Sequence, residues 1–144
     1  DGRRMLFTDM DLETGQPHVT LALADFDAQT LTPILGAESA WTDFSVPAWS
    51  PDGGWVALGL RSAESGPPKQ LWLLRPDGGE ARPLTRDPVY TFGGYRWDPW
   101  GTALVFQRFE LNTPFATPEV GVLSVATGAV TMLVTDGATP EWLP

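Results

Sequence analysis

Residues 47–53 read Pro-Ala-Trp-Ser-Pro-Asp-Gly, and the Trp-x-Pro tripeptide inside this stretch recurs along the chain. The other copies are Trp97-Asp98-Pro99 and Trp142-Leu143-Pro144. The chain starts with Asp1-Gly2, which matches the Asp-Gly that follows the first complete tripeptide. Joined end to start, the chain reads as three repeats of 48, 45 and 51 residues. Self-similarity at this period predicts a stacked or radial repeat architecture.

Short apolar runs bounded by turn residues follow each copy of the motif, and none shows the 3.6-residue period of a helix. Such runs are typical of strands that are covered on both faces. We predict strands in the three repeats at 3–9, 19–25 and 30–35; at 46–49, 55–61, 70–75 and 81–85; and at 94–97, 103–109, 120–125 and 130–134. The first repeat lacks an inner strand, and its sequence appears near 139–142.

Four antiparallel strands in a repeat of about 40–50 residues describe one blade of a β-propeller. The sequence therefore predicts an all-β fold of three four-stranded antiparallel blades. Blade one covers 1–45, with its inner strand supplied by 139–144 of the same chain or of a partner chain. Blade two covers 46–93 and blade three covers 94–138.

The repeated motif has a physical role in such a blade. Pro51 presets φ at the second position of a tight turn, Asp52 can hydrogen-bond the turn backbone, and Gly53 relieves the exit geometry. Trp49 can supply a large apolar plate between neighbouring blades. The structural positions of the motif are Trp49, Pro51, Asp52, Gly53, Trp97, Pro99, Gly101, Trp142 and Pro144. Trp100 replaces the turn aspartate in the third repeat, and we expect it to be exposed or covered by a neighbour.

Composition excludes several classes of function. The chain has 144 residues and a formal net charge of −9, which disfavours binding to nucleic acid or to anionic membrane surfaces. The absence of cysteine excludes disulfides, thiol nucleophiles and thiolate metal sites. No apolar run approaches the ~18 residues of a membrane-spanning helix, so we expect no membrane insertion. Because the first residue is not methionine, we expect the chain to be an excised piece.

The stretch 47–85 resembles a TolB-type, WD-like β-propeller repeat. The matching residues are Pro47, Trp49, Ser50, Pro51, Asp52, Gly53, Leu71, Trp72, Asp77, Gly78, Gly79, Leu84 and Thr85. The resemblance implies a six-bladed propeller, of which three blades are half, and a periplasmic or other extracytoplasmic location. It implies relatives that are protein-binding scaffolds, gating propellers of prolyl-oligopeptidase-type serine peptidases, or polysaccharide-acting enzymes. The repeat itself carries no catalytic residue.

Three blades are too few for a closed propeller, which usually has four to eight. An isolated set of three would also leave two apolar blade faces open to solvent. We therefore expect self-association, with two chains completing a six-bladed ring. Residues 139–144 of one chain would then add to the blade begun by residues 1–9 of the other, at two equivalent junctions. The alternative is that the chain is a fragment whose remaining blades lie outside it.

One rim of the predicted propeller is rich in aromatic and charged residues. It would hold the loops at 9–18, 61–69 and 108–119 and those at 36–45, 86–93 and 135–139. Exposed aromatic and arginine side chains are good anchors for a protein or peptide partner. The candidate binding residues on this rim are Trp41, Phe44, Arg61, Tyr90, Phe92, Arg108 and Phe115. The alternative is that these aromatic side chains cap the cores of the blades.

The sequence offers no convincing catalytic or metal site, and we expect no catalytic residue, metal or cofactor. Residues 8–15 alternate acids as a calcium loop does, but the glycine is one place late and Thr20 replaces the final glutamate. A solvated loop is the favoured interpretation. His18 is the sole histidine, and no Gly-x-Ser-x-Gly elbow accompanies it, so a structural role is favoured.

These observations favour a non-catalytic propeller module that binds or scaffolds a protein or peptide. A second hypothesis is the propeller portion, controlling substrate access, of a larger prolyl-oligopeptidase-type serine hydrolase. A third is a glycan-binding or lyase relative, suggested by the aromatic residues of the rim.

Overall fold

The computed structural model describes residues 2–11, 18–35, 41–62 and 68–143, and for 9–11, 18, 19, 41, 42 and 62 it describes the backbone alone. These residues form twelve β-strands arranged in three antiparallel sheets. No helix occurs in the described part of the chain, so none there could cross a membrane. The predicted all-β antiparallel fold is confirmed.

Each sheet follows the next in chain order. Sheet one contains β1 (Arg4–Asp11), β2 (His18–Asp25) and β3 (Thr30–Leu35), in that order. Sheet two contains β4 (Trp41–Phe44), β5 (Ala48–Trp49), β6 (Val56–Ser62), β7 (Gln70–Leu74) and β8 (Ala81–Pro83). Sheet three contains β9 (Tyr90–Trp97), β10 (Ala103–Glu110), β11 (Glu119–Ser124) and β12 (Val130–Val134).

The inner strands of sheets two and three begin earlier than predicted. Both β4 and β5 pair with β6, so residues 41–44, which we assigned to blade one, belong to sheet two. The backbone N–H of Ser45 continues this pairing by donating to Gly59 O at 2.9 Å. In sheet three, β9 starts at Tyr90 rather than at 94. The pairing with β6 and β10 decides both starts, because it satisfies backbone groups that a loop would leave to water.

At the end of the chain, the structure lacks a strand that the sequence predicts. Residues 139–143 form no strand, although they carry the sequence of an inner strand. Sheet one therefore has three strands in the described part of the chain, where four were predicted.

Sheet two is buried on both of its faces. On one face, Leu58, Leu60 and Leu74 pack with Leu21 of sheet one in a shared core. On the other face, a second core joins sheets two and three, and its buried members are Ala57, Leu71, Leu73, Leu84, Phe92, Tyr95, Leu104, Phe106 and Leu123. The continuous apolar run of β6 follows from this arrangement, because successive side chains of a strand point to opposite faces.

A close approach in the second core requires a glycine. Phe106 is fully buried and lies 5.3 Å from Phe92 between ring centroids. Gly121 faces it from β11, and a Cβ there would lie 2.8 Å from Phe106 Cζ and 3.1 Å from the carbonyl oxygen of Thr131. Since the carbonyl belongs to the paired strand β12, it cannot move aside without disturbing the sheet.

Gly121→Ala is expected to lower the free energy of unfolding by about 1–3 kcal/mol, because the added methyl group overpacks the core. Gly93→Ala is the matched control, since a Cβ on that β9 glycine meets nothing within 4 Å. Urea unfolding followed by circular dichroism measures both variants. Equal stability of the two variants would contradict the packing described for Gly121.

Candidate functional site

Two copies of the Trp-x-Pro motif form the same tight turn. The N–H of Gly53 donates to Ser50 O at 2.9 Å, and the N–H of Gly101 donates to Asp98 O at 3.2 Å. Both glycines have positive φ, 69° and 71°, which other residues adopt at a cost. Each turn leads the chain from the inner strand of its sheet into the second strand.

Polar side chains hold the first of these turns closed. The Ser50 hydroxyl donates to Asp52 Oδ1 at 2.6 Å and accepts the N–H of Trp55 at 2.9 Å. Asp52 Oδ1 also accepts the N–H of Gly54 at 3.0 Å. The hydrogen bonds from Ser50 and Gly54 lower the pKa of the Asp52 carboxyl below its ordinary value, because they favour the charged form.

A single carboxylate performs both tasks in the second turn. Asp98 occupies the position of Ser50, and its Oδ1 accepts the N–H groups of Thr102 at 2.7 Å and Ala103 at 3.0 Å. Its Oδ2 accepts the hydroxyl of Thr102 at 2.7 Å. The position that Asp52 holds in the first turn therefore needs no aspartate in the second turn. This explains why Trp100 can occupy it, with 79% of its surface exposed.

Asp98 is a buried carboxylate with a lowered pKa. Burial acts to raise the pKa of Asp98, but the hydrogen bonds from Ala103 and Thr102 together outweigh it. The charged form is therefore favoured in the folded protein.

The motif tryptophans link the sheets through their indole nitrogens. Trp97 Nε1 donates to the carbonyl oxygen of Ala48 at 3.0 Å, and Trp142 Nε1 donates to that of Arg96 at 3.2 Å. Ala48 and Arg96 are equivalent, since each directly precedes the motif tryptophan of its own repeat. Each indole thus binds the backbone of the repeat before it. Arg96 and Glu141 add an exposed ion pair at 3.2 Å beside the second of these bonds.

Trp49 has no such acceptor among the described residues. The guanidinium of Arg4 instead lies 5.4 Å from the centre of its ring. Beside it is a groove of about 530 Å³, lined by Gly2, Arg4, Trp49, Ser50, Pro51, Asp52 and Gly53. The groove therefore lies between the turn of sheet two and the first residues of sheet one.

The groove marks an open position at the edge of β1. In sheets two and three, Trp49 pairs with Val56 and Trp97 pairs with Leu104, and both partners are fully buried. Met5 holds the equivalent place three residues after its turn glycine, yet 47% of its surface is exposed. Among the described residues β1 pairs with β2 alone. Val56 and Leu104 lie on faces that pack against a neighbouring sheet, whereas Met5 lies on the face of sheet one that points away from sheet two. A further strand would pair with the open edge of β1, as β5 pairs with β6.

The predicted rim residues lie in different environments. Phe44 ends β4, Phe92 lies near the start of β9, and both pack into the cores between sheets. Arg61 lies 3.8 Å from the Asp43 carboxylate, and Phe115 is fully exposed with a φ of 60°. For Trp41 the backbone alone is described, and it pairs with Ser62.

Tyr90 and Arg108, the remaining two rim candidates, contact each other. The guanidinium of Arg108 lies 3.7 Å from the ring centre of Tyr90 and donates to Glu119 Oε2 at 2.8 Å. These partners hold Arg108 against the sheet, and its side chain is 16% exposed. Of the rim candidates with described side chains, Phe115 is the one that presents a fully exposed aromatic surface.

The remaining sequence candidates are placed as follows. Residues 8–11 of the acidic stretch lie in β1, and its last part, 12–15, is outside the described residues, as is Pro144. His18 begins β2, with its backbone alone described. No group of three or more histidine, cysteine, aspartate or glutamate side chains that could hold a metal occurs in the described part of the chain.

Sequence reasoning did not identify Met5 or Arg4 as site residues. The signal for Met5 was present, because it aligns with Val56 and Leu104 when the repeats are superposed on their turn glycines. Arg4 gave no signal, since its position over the Trp49 ring depends on how sheets one and two pack together.

No protein-family model and no curated protein match the chain. Several solved structures match it. A TolB protein from Agrobacterium tumefaciens superposes with a TM-score of 0.70 at 21% identity, over 92% of this chain and 45% of that one. An oligogalacturonate lyase in complex with manganese gives 0.70 at 17% identity, over 91% and 38%. The β-propeller domain of the Trilobed protease from Pyrococcus furiosus gives 0.66 at 12%, over 92% and 39%.

These similarities establish a TolB-like β-propeller fold, and at such identities they show the fold alone. The chain spans less than half the length of each of these three structures.

Trp97→Phe is expected to lower the free energy of unfolding by about 1–3 kcal/mol, because the carbonyl of Ala48 loses its donor while the aromatic bulk stays. Trp100→Phe is the matched control, since Trp100 is exposed, and its effect should stay within about 0.5 kcal/mol. Urea unfolding followed by far-ultraviolet circular dichroism measures both. A Trp97→Phe variant as stable as the control would refute the role of the indole bond.

Asp98→Asn is expected to lower the free energy of unfolding at pH 7 by about 1.5–3 kcal/mol, the range for hydrogen bonds to a charged group. Since the pKa in the folded state lies below the ordinary value of 3.8, the charged group stabilises the fold fully above that value. This contribution is lost as the pH falls through the folded-state pKa, so the difference from the parent should shrink in acid. Unfolding curves between pH 7 and pH 2 test this, with the exposed Asp27→Asn as control; a pH-independent difference would contradict it.

Proposed function

We propose that this chain is a non-catalytic β-propeller segment that binds an extended polypeptide along the open edge of β1. The observation that carries the proposal is the open edge of β1, which pairs with β2 alone among the described residues, whereas β6 and β10 each pair with an inner strand as well. An extended segment placed there would give β1 the second pairing partner that β6 and β10 have.

Strand addition accounts for the chemistry of the groove. An exposed strand edge offers backbone N–H and C=O groups to an incoming peptide, and neighbouring pockets select alternate side chains. Here the edge of β1 supplies the backbone groups, and the 530 Å³ groove beside Trp49 offers room for a bulky side chain. Arg4 and Asp52 both line the groove, so it offers one cationic and one anionic group to the polar side chains of a segment.

We further infer that sheets one, two and three are three blades of a six-bladed propeller. Their shared cores, with sheet two packed between the others, support this arrangement. The blade limits then follow the strands, at 4–35, 41–83 and 90–134, rather than the limits expected from the sequence.

A propeller portion of a larger peptidase is the second candidate. The likeness to the propeller domain of the Trilobed protease supports it, because that domain is part of a protease. The module would then control access to a catalytic domain, and the open edge of β1 would be filled by the rest of the parent protein.

Binding of a labelled peptide tests the first proposal. A fluorescein-labelled peptide with the sequence of residues 138–144 carries the pattern Pro-x-Trp-x-Pro. The acceptor is the Trp142→Ser variant, which removes competition from the chain's own copy of the motif. Fluorescence anisotropy should show saturable binding, and Met5→Asp in this acceptor should weaken it by about tenfold or more, which is 1.4 kcal/mol. Val46→Asp, at a position 85% exposed, is the matched control.

A backbone-modified peptide distinguishes strand addition from nonspecific hydrophobic binding. The N–H of Ser50 donates to Trp55 O at 2.8 Å and that of Asp98 to Ala103 O at 2.9 Å. The equivalent donor in the peptide is the N–H of its leucine, and methylating that nitrogen should abolish binding while every side chain stays. Equal affinity of the methylated and unmodified peptides, or no binding of either, would overturn the proposal.

A further inference from the structure

We infer that the segment accepted by β1 is residues 139–143 of a second copy of this chain. This inference rests on the proposed function and names the partner for the same groove. It also assigns a role to the end of the chain, which carries the sequence of an inner strand but forms none in its own molecule.

Sequence equivalence identifies the donor segment. Residues 138–144 read Ala-Thr-Pro-Glu-Trp-Leu-Pro, and residues 45–51 read Ser-Val-Pro-Ala-Trp-Ser-Pro, so proline, tryptophan and proline recur at the same spacing. The acceptor begins with Asp1-Gly2, which corresponds to Asp52-Gly53. A donor from one copy and an acceptor from another together restore the turn sequence.

The donor segment is already held in place by sheet three. Thr139 N donates to Gln107 Oε1 at 2.9 Å, Trp142 Nε1 donates to Arg96 O at 3.2 Å, and Glu141 pairs with Arg96 at 3.2 Å. Sheet three holds β5 in the same way, through the bond from Trp97, the last residue of β9, to Ala48. The segment therefore occupies the next inner-strand position after β9, on the opposite side of sheet two from β1.

The register of the intermolecular pair follows from the two registers inside the chain. Trp49 pairs with Val56 and Trp97 with Leu104, so Trp142 of one copy should pair with Met5 of the other. Leu143, which is 89% exposed, should then face Arg4. The acidic Glu141 directly precedes Trp142 in the donor segment, one residue from the contact with Met5.

The outward faces of sheets one and three suit the same contact. Leu6 packs toward sheet two, so Met5 and Phe7 point away from it, and Leu31 of β3 is 64% exposed. Met132 packs toward sheet two, so its neighbour Leu133, 58% exposed, points away. These apolar faces would cover each other at the junction of two copies. Two equivalent junctions related by a two-fold axis would close three plus three blades into a six-bladed ring.

Light scattering after size-exclusion chromatography measures the assembly state of the full chain. The expected mass is about 31 kDa, twice the 15.7 kDa of the chain. Trp142→Ser should shift the protein to the monomer mass, because it removes the donor side chain. Trp100→Ser is the matched control and should keep the dimer, since Trp100 lies outside the donor segment and is largely exposed.

Crosslinking tests the register and the closure. The chain has no cysteine, so introduced thiols are unique. A mixture of Arg4→Cys and Leu143→Cys, treated with a short bismaleimide, should give a crosslinked dimer, and neither variant alone should. The double variant should stop at the dimer. A ladder of larger products would overturn ring closure, and a crosslinked monomer would show that the chain fills its own edge.

The outcomes for the partner and for the proposed function are distinguishable. The unmodified chain could be monomeric while its Trp142→Ser variant binds the peptide of residues 138–144. This result would overturn the second copy as partner and keep strand addition at β1. If the unmodified chain is monomeric and the Trp142→Ser variant fails to bind that peptide, the second copy as partner and strand addition at β1 are both overturned.

Discussion

The hydrogen bond from a motif tryptophan to the backbone of the preceding repeat is the interaction that the arrangement of the sheets depends on. Trp97 reaches Ala48 and Trp142 reaches Arg96, so each repeat fixes the inner strand of the one before it. Ala48 is partly buried, so the indole of Trp97 supplies a donor to a carbonyl that has reduced access to water. Tyr95 adds a second bond of this kind, donating to Val46 O at 2.6 Å and accepting the N–H of Gly59.

The first and third sheets differ from the second in how many of their faces are covered. Sheet two has a neighbour on each face, and its leucines are almost fully buried. Among the described residues, sheets one and three pack against sheet two alone, and Leu31 and Leu133 are exposed on their outward faces. The proposed binding function and the proposed partner draw on these outward faces and on the open edge of β1, since apolar surface and strand edges favour association.

The turn motif shows how one structure can be kept by different residues. Ser50 and Asp52 share the task of accepting the N–H groups that follow the first turn, and Asp98 alone accepts them in the second. Superposing the sequences places Asp98 opposite a serine and Trp100 opposite an aspartate, so the sequence of the motif is not conserved between the two turns. The number of acceptors is preserved, while the residue that supplies them changes.

The sequence by itself determined the strands, the turns and the period of the repeat, because alternating burial, proline and glycine act over a few neighbouring residues. It missed β4 and the early start of β9, since Trp41–Phe44 and Tyr90 become strand only by pairing with a distant partner. It also grouped Phe92 with Arg108 and Phe115 as one rim, although Phe92 is buried against Phe106. Only the tertiary structure decided which side chains are covered and which edge is open, because burial depends on what packs against a residue from elsewhere in the chain.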